Sequence, residues 1–390
     1  MTAACIFLGL IAVATRWSLW MLSYVGKATG GHKGYSEVVE FYYNVRGGVA
    51  TDCFIAFLNF GTSIAYLDVL ADIFCGWMGP SARVGSLFSV LVFILFPLCS
   101  IRTFDQLSFT SVMGTSIYGI FGIVVLLIYA SGVRSPGENV QPNEMGFTTD
   151  FASIIPILTL AFACNTVLLP VYNEFMESPG AETEDFNSAV TLAISFTFGL
   201  YMLIGIFGSL TFQDATAGDI LLNYSVDKGG LTFCLQAVFA ISLCFTYPLV
   251  IYPLRDSFDK LLMRIPAFES MVFRYRPDNK SLHQRWYIET ILLMLTGFLF
   301  AVILPSLEVI FGLTGSIAGT TLCFIVPSSM FLKATHSKGS SDGDSLATWR
   351  LRAKLLLYTS IPLGLMGFLL TILNLSTEDS DDLKLCQKDA

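Results

Sequence analysis

The chain reads as an all-α polytopic membrane protein, and three observations predict it. Ten stretches of about 18 to 28 mostly apolar residues alternate with short polar loops, and roughly 20 apolar residues in a helix cross a hydrocarbon core about 30 Å thick. Apolar residues make up 54% of the sequence and charged residues 13%. Mean hydropathy is +0.66, whereas soluble domains carry about 25% charge. No water reaches the backbone inside a bilayer, so each span must be a helix that closes its own hydrogen bonds.

The spans fall at 3–24, 48–75, 84–101, 106–130, 150–172, 187–212, 229–254, 287–305, 309–331 and 354–375. Loop charge orients them, because the side richer in Lys and Arg faces the cytoplasm. Sixteen of the 22 basic residues lie in one alternating set of loops. Five (Arg83, Arg134, Lys228, Lys384, Lys388) lie in the other, and Arg16 lies within a span. The richer set, which includes Lys27, Lys33, Arg46, Arg102 and the loop at 255–286, is therefore cytoplasmic. Ten spans then put both termini outside, although nothing visible would translocate Met1; one further span upstream would restore a cytoplasmic N-terminus. Among the sequons, Asn223 and Asn374 fall on the outer side and Asn279 on the inner side.

Composition and motifs exclude several function classes. The net charge of −8 resides mostly in loops and tails, with Glu378, Asp379, Asp381 and Asp382 near the C-terminus. That charge is no evidence about nucleic acid. There is no HExxH, GxSxG, P-loop or GxGxxG, and the three His (His32, His283, His336) lie in inner loops. The nine cysteines contain no CxxC and read as small apolar side chains, with a Cys75–Cys386 pairing outside the membrane as the less favoured alternative. A channel would want charge rings or a filter-like loop, and the spans have neither.

Helix breakers and polar residues inside spans point to chemistry. The fifth span carries Pro156 and Pro170 around a small and polar run, Ala161-Phe-Ala163-Cys164-Asn165-Thr166. It reads either as an interrupted transporter helix, whose freed backbone groups bind substrate, or as a kinked helix bonded to a neighbour. The seventh span holds Ser242, Cys244, Thr246 and Pro248. Pro248 deprives the Cys244 carbonyl of its partner, and a carbonyl beside a hydroxyl suits a small hard cation. A plain kink with Thr246 bonded to its own helix is the stronger reading of these residues alone. Small residues open the ninth span (Gly312, Gly315, Ser316, Gly319) and suggest close packing. In the second span Asp68 and Asp72 share a face, Asp72 at the wet outer end. Arg16 is placed to snorkel or to pair with Asp52.

At these residues the chain resembles the amino acid/auxin permease family, and within it the sodium-coupled neutral amino acid transporters. Four segments carry the likeness: Phe60 to Asp72, Pro156 to Glu174, Thr246 to Arg255, and Phe311 to Lys333. They are similar to the family's third, sixth, eighth and tenth helices, in order.

The resemblance implies a LeuT-like bundle with inverted repeats, in which the ten spans match helices two to eleven and the first is absent. Residues 3–130 would form the remainder of the first repeat, 150–331 the second, 354–375 the extra helix and 376–390 an acidic tail. It also implies amino acid binding at Ala161, Ala163, Cys164, Asn165 and Thr166 with Tyr66, and Na⁺ at Thr246 with Ser242 beside it. Many relatives have His where this chain has Asn165, which cannot be protonated.

The expected function is secondary active amino acid transport, coupled to Na⁺ or H⁺, by alternating access. There is no catalytic residue, metal or cofactor beyond a bound Na⁺, and the partners are amino acid, ion and lipid bilayer. The membrane is expected to be the plasma membrane or a lysosomal or vacuolar one. The alternative is a transport-incompetent receptor or regulatory partner lacking the first helix.

Overall fold

The computed structural model describes residues 2–30, 34–100, 105–132, 150–212, 220–221, 230–265, 279–303, 307–336 and 344–377. Every regular element among them is helical. We number them α1 (Thr2–Ala28), α2 (Tyr35–Met78), α3 (Arg83–Cys99), α4 (Asp105–Ala130), α5 (Asp150–Ala161), α6 (Asn165–Met176), α7 (Thr183–Phe212), α8 (Gly230–Met263), α9 (Asn279–Ile303), α10 (307–336) and α11 (Asp344–Thr377).

Eight helical segments are long and apolar enough to cross a membrane, α5 and α6 counting together, and two shorter apolar helices, Arg83–Cys99 and Gly114–Ala130, occupy the third and fourth predicted spans. The chain is thus an integral, multi-pass membrane protein. Its surface is apolar, with Phe93, Leu192, Ile288 and Leu351 exposed, while Asn165, Asp68 and Arg255 are buried. That distribution suits a hydrocarbon solvent.

The helices outrun the predicted spans. α8 continues nine residues past 254, α11 begins ten residues before 354 and α10 runs to His336. Hydropathy marks only the part that touches hydrocarbon, whereas the backbone ladder continues into water. Arg46, Arg255 and Lys260, expected in loops, are therefore helical. A helical segment from Tyr35 precedes the second span and breaks at Tyr43 and Asn44, where Asn44 has φ 60°. Asn tolerates that left-handed region better than other non-glycine residues. The Lys333 ammonium bonds the Tyr42 carbonyl at the break and lies 4.4 Å from the Tyr43 ring centroid. Arg102, Lys33, His32, Asn223, the outer loop from 133 to 149 and the acidic tail from 378 lie outside the described residues, as do the side chains of Asn279, His283 and Asn374.

Packing divides the chain into two units. The first comprises residues 1–58, 145–199 and 311–374. In it α1 packs on α5, α6 and the C-terminal half of α10, and α5 packs on a π-turn of α10 at Gly315–Gly319. A Cβ on Gly315 would stand 2.1 Å from the Pro156 carbonyl oxygen, and one on Gly367 of α11 would stand 2.3 Å from Pro156 Cγ. Only glycine allows that approach, so the small residues of the ninth span do serve close packing. Arg16, read from the sequence as snorkelling or pairing with Asp52, donates to Thr191 Oγ1.

The second unit comprises 59–144, 200–310 and 375–390. In it α8 packs on α4, α9 and the end of α3. Arg83, at the start of α3, bonds Asp68 at 2.7 Å and Asp72 at 3.0 Å. The two aspartates of α2 thus form a clamp with an arginine, and Asp72 is 21% exposed and ion-paired instead of merely wet. The expected inverted repeats divide the chain by symmetry, whereas these units divide it by packing.

Candidate functional site

In the first unit the fifth span does break, and the break sits at neither proline. Pro156 lies inside α5 and Pro170 inside α6, whereas residues 162–164 separate the two helices. The Phe162 and Ala163 amides turn back onto Thr159 and Leu160 carbonyls at 3.3 and 2.9 Å. Cys164, with φ −110° and ψ 3°, precedes α6 without a side-chain cap. A helix start leaves its first N–H groups without intrahelical acceptors and carries the positive end of the helix dipole.

Asn165 opens α6 and is 1% exposed. Its Nδ2 donates to Ser18 Oγ of α1 at 2.8 Å and to the Cys323 carbonyl of α10 at 3.2 Å, and the Ser18 hydroxyl donates to that same carbonyl. Cys323 belongs to a second π-turn, Thr321–Ile325, where the changed backbone register turns carbonyls toward side chains. The neighbouring Leu322 carbonyl accepts from Tyr35 Oη at 2.7 Å. Asn165 Oδ1 stays buried with no donor among the described residues. Such an acceptor is costly in a membrane interior unless something binds it.

Of the residues expected here, Asn165 is the buried hub. Cys164, Ala163 and Thr166 are half-buried around it, and Ala161 is exposed at the end of α5. Ser18 and the Cys323 carbonyl were not foreseen. Ser18 had a weak signal, the polar series Thr15, Ser18 and Ser23 inside an apolar span, all buried. A backbone carbonyl has no signal in sequence.

The second unit holds the other expected residues. Thr246 Oγ1 donates to its own helix, to the Ser242 and Leu243 carbonyls at 3.0 and 3.2 Å. The Tyr66 and Tyr118 hydroxyls lie within side-chain reach of it. Tyr118 also lies near Ser242, whose buried Oγ has no hydrogen-bond partner among the described residues. Gly114 of α4 brings its backbone against Thr246 and Ser242, where a Cβ would meet them at 3.4 and 3.8 Å. Tyr66, Ser242 and Thr246 therefore share one hydroxyl cluster. Tyr118, four residues past Gly114 on α4, was missed because one tyrosine among apolar residues carries no pattern.

Neither cluster contains a carboxylate or an imidazole, and among the described residues no group of three or more His, Cys, Asp or Glu stands ready for a metal. Neutral donors, carbonyls and a helix dipole can hold a zwitterion or a small cation.

Comparison with known proteins agrees with this geometry. The family model described as "Transmembrane amino acid transporter protein" matches residues 1–376. Amino acid transporter AVT6A of Arabidopsis thaliana is 26% identical over 349 residues, covering 83% of this chain and 73% of that protein. Solute carrier family 38 member 10 of Mus musculus is 24% identical over 318 residues, 79% of this chain and 28% of that much longer protein. The Xenopus laevis relative, 25% identical over 340 residues (84% of this chain, 31% of its own length), is described as a putative sodium-coupled neutral amino acid transporter 10. Among solved structures the chain matches MHP1, a nucleobase-cation-symport-1 family transporter, in a closed conformation with bromovinylhydantoin bound. The TM-score is 0.54 at 15% identity, over 95% of this chain and 85% of that one. That likeness shows the fold, a LeuT-like helical bundle.

Proposed function

The chain belongs to the transmembrane amino acid transporter family, and from that premise we propose that it is a secondary active transporter. Its substrate is an amino acid, moved by alternating access and driven by Na⁺ or H⁺. The observation that carries the reading is the broken span at 162–164, with a buried, unpartnered Asn165 Oδ1 beside a helix N-terminus. The substrate carboxylate takes the N–H groups of the first turn of α6, from Asn165 and Thr166, where the helix dipole favours negative charge. The ammonium group, a donor, completes Asn165 Oδ1. Ala161, Ala163 and Cys164 are small and leave room beside the backbone.

In the second unit, Thr246 and Ser242 supply the hydroxyl oxygens for Na⁺ where that is the coupling ion, with Tyr66 and Tyr118 completing the cluster. Na⁺ wants hard oxygen ligands, and a hydroxyl that donates to its helix still presents lone pairs outward. The Xenopus laevis relative's description favours Na⁺ over H⁺.

The test is uptake of labelled neutral amino acids into vesicles containing the full chain, with Na⁺ and H⁺ gradients imposed separately. Accumulation that follows one gradient and falls about tenfold or more with Asn165→Leu supports the proposal. Uptake unchanged when both gradients are collapsed removes the coupling. Binding without accumulation replaces transport by the receptor role.

A further inference from the structure

A cavity of about 290 Å³ lies inside the first unit, between α1, α5, α10 and α11. Roughly 300–1,000 Å³ is the usual range for small-molecule sites, so it takes a chain segment or a small group. Its walls include Phe7, Ile11 and Trp17 of α1, Pro156 of α5, Phe324 of α10 and Leu363 of α11. Four hydroxyls also line it, and each donates back into its own helix: Thr159 to Ile155, Thr320 to Gly315, Thr359 to Leu355 and Ser360 to Leu357, at 2.8 to 3.2 Å. A zwitterion entering this space would find no free donor for its carboxylate. A hydrocarbon chain would find apolar walls, and Leu10 and Leu355 at its edge are exposed.

One end of the cavity is cationic. Trp17, which lines it, lies under the Arg352 guanidinium at 5.2 Å, and Trp349 holds the same guanidinium at 4.5 Å. Trp349 stacks in turn on Trp20 at 3.7 Å. Arg352 lies on the α11 stripe that continues through Leu356, Thr359 and Leu363 into the cavity. No carboxylate pairs with Arg352 among the described residues, and neither α1 nor α11 from Ser345 onward contains an acidic residue. Arg350, Arg352 and Lys354 mark this end as the cytoplasmic one by charge, where anionic lipid concentrates. Aromatic rings with a basic side chain are the usual interfacial anchors.

We infer that this cavity is a site for an anionic phospholipid of the cytoplasmic leaflet, with an acyl chain between α1, α5 and α11 and the phosphate on Arg352. The lipid chain rests on Pro156, six residues before the break, and on Phe324, the neighbour of Cys323. Occupancy therefore braces α1 against the helices that hold Asn165. The site is independent of which amino acid or ion is carried.

The test is native mass spectrometry of the full chain in detergent after exposure to phosphatidylserine or phosphatidylcholine. The expected result is one retained phosphatidylserine, favoured over phosphatidylcholine roughly fivefold, the weight of about one basic side chain facing anionic lipid. Arg352→Gln should equalise the two lipids, and Ala14→Phe, which fills the cavity, should abolish retention of both. Leu363→Trp fills the same space from α11 should Ala14→Phe fail to fold. Inorganic phosphate should not displace the lipid, since the acyl chain anchors it. No retained lipid, retention unchanged by both filling variants, an unaltered preference in Arg352→Gln, displacement by phosphate, or a sterol retained instead of phospholipid would each overturn the inference.

Discussion

Two segments of this chain carry two prolines each, and only one of them breaks. In α8, Pro248 and Pro253 sit inside a continuous helix. In the 150–176 segment the helix is interrupted, yet the interruption lies at 162–164, away from both Pro156 and Pro170. Proline removes one backbone donor and crowds one carbonyl, which membrane helices absorb through local adjustments and neighbouring groups. A full break frees several groups together, and it persists only where the tertiary structure supplies partners. Here Ser18 and the Cys323 carbonyl clasp Asn165, and Gly315 lets α10 seat directly on Pro156. In α8 the hydroxyl of Thr246 bonds its own helix and the ladder runs on.

The largest effect should come from the seat itself. Gly315→Ala places a methyl group inside the Pro156 carbonyl contact and forces α5 from α10, costing about 3 kcal/mol. Loss of the monodisperse fraction and a lower unfolding temperature in detergent would report it; a stable variant would mean that the break does not depend on this contact. Next comes the charged cluster of the second unit. Arg83→Leu takes the guanidinium away from Asp68, which is 1% exposed, and should cost about 2 kcal/mol. That is below the 3–5 kcal/mol of fully buried pairs, because Arg83 and Asp72 are partly exposed. Thermal unfolding of the variant decides it, and a doubly neutral Asp68→Asn, Arg83→Leu chain should recover much of the loss.

Asn165→Leu should cost less stability, about 1 kcal/mol for interhelical bonds in a membrane, and far more function. Uptake should fall about tenfold or more, equivalent to about 1.4 kcal/mol. Equal losses in stability and uptake would make Asn165 a structural clasp only. The smallest structural effect belongs to Thr246→Val, which keeps the shape and removes a hydroxyl bonded within its own helix. Stability should change by less than about 0.5 kcal/mol. Na⁺-dependent uptake should nevertheless fall, with Thr246→Ser restoring it; an unchanged Na⁺ response would move the ion site away from α8.

Sequence alone was enough for the class of molecule and the approximate position of its spans, because crossing hydrocarbon requires long apolar helices. It also marked the 161–166 run, since Asn165 is too polar for its apolar surroundings to be incidental, and it flagged Asp68 and Asp72 as costly. It could not locate the break within that run, because prolines are visible and missing hydrogen bonds are not. Nor could it pair Arg16 with Thr191 or Arg83 with the two aspartates, since those contacts join residues on different helices. Ser18 and the Cys323 carbonyl became part of the site only through packing. A glycine approach and a π-turn set the backbone of one helix against another, and whether a buried polar group is satisfied or left open is decided by that geometry.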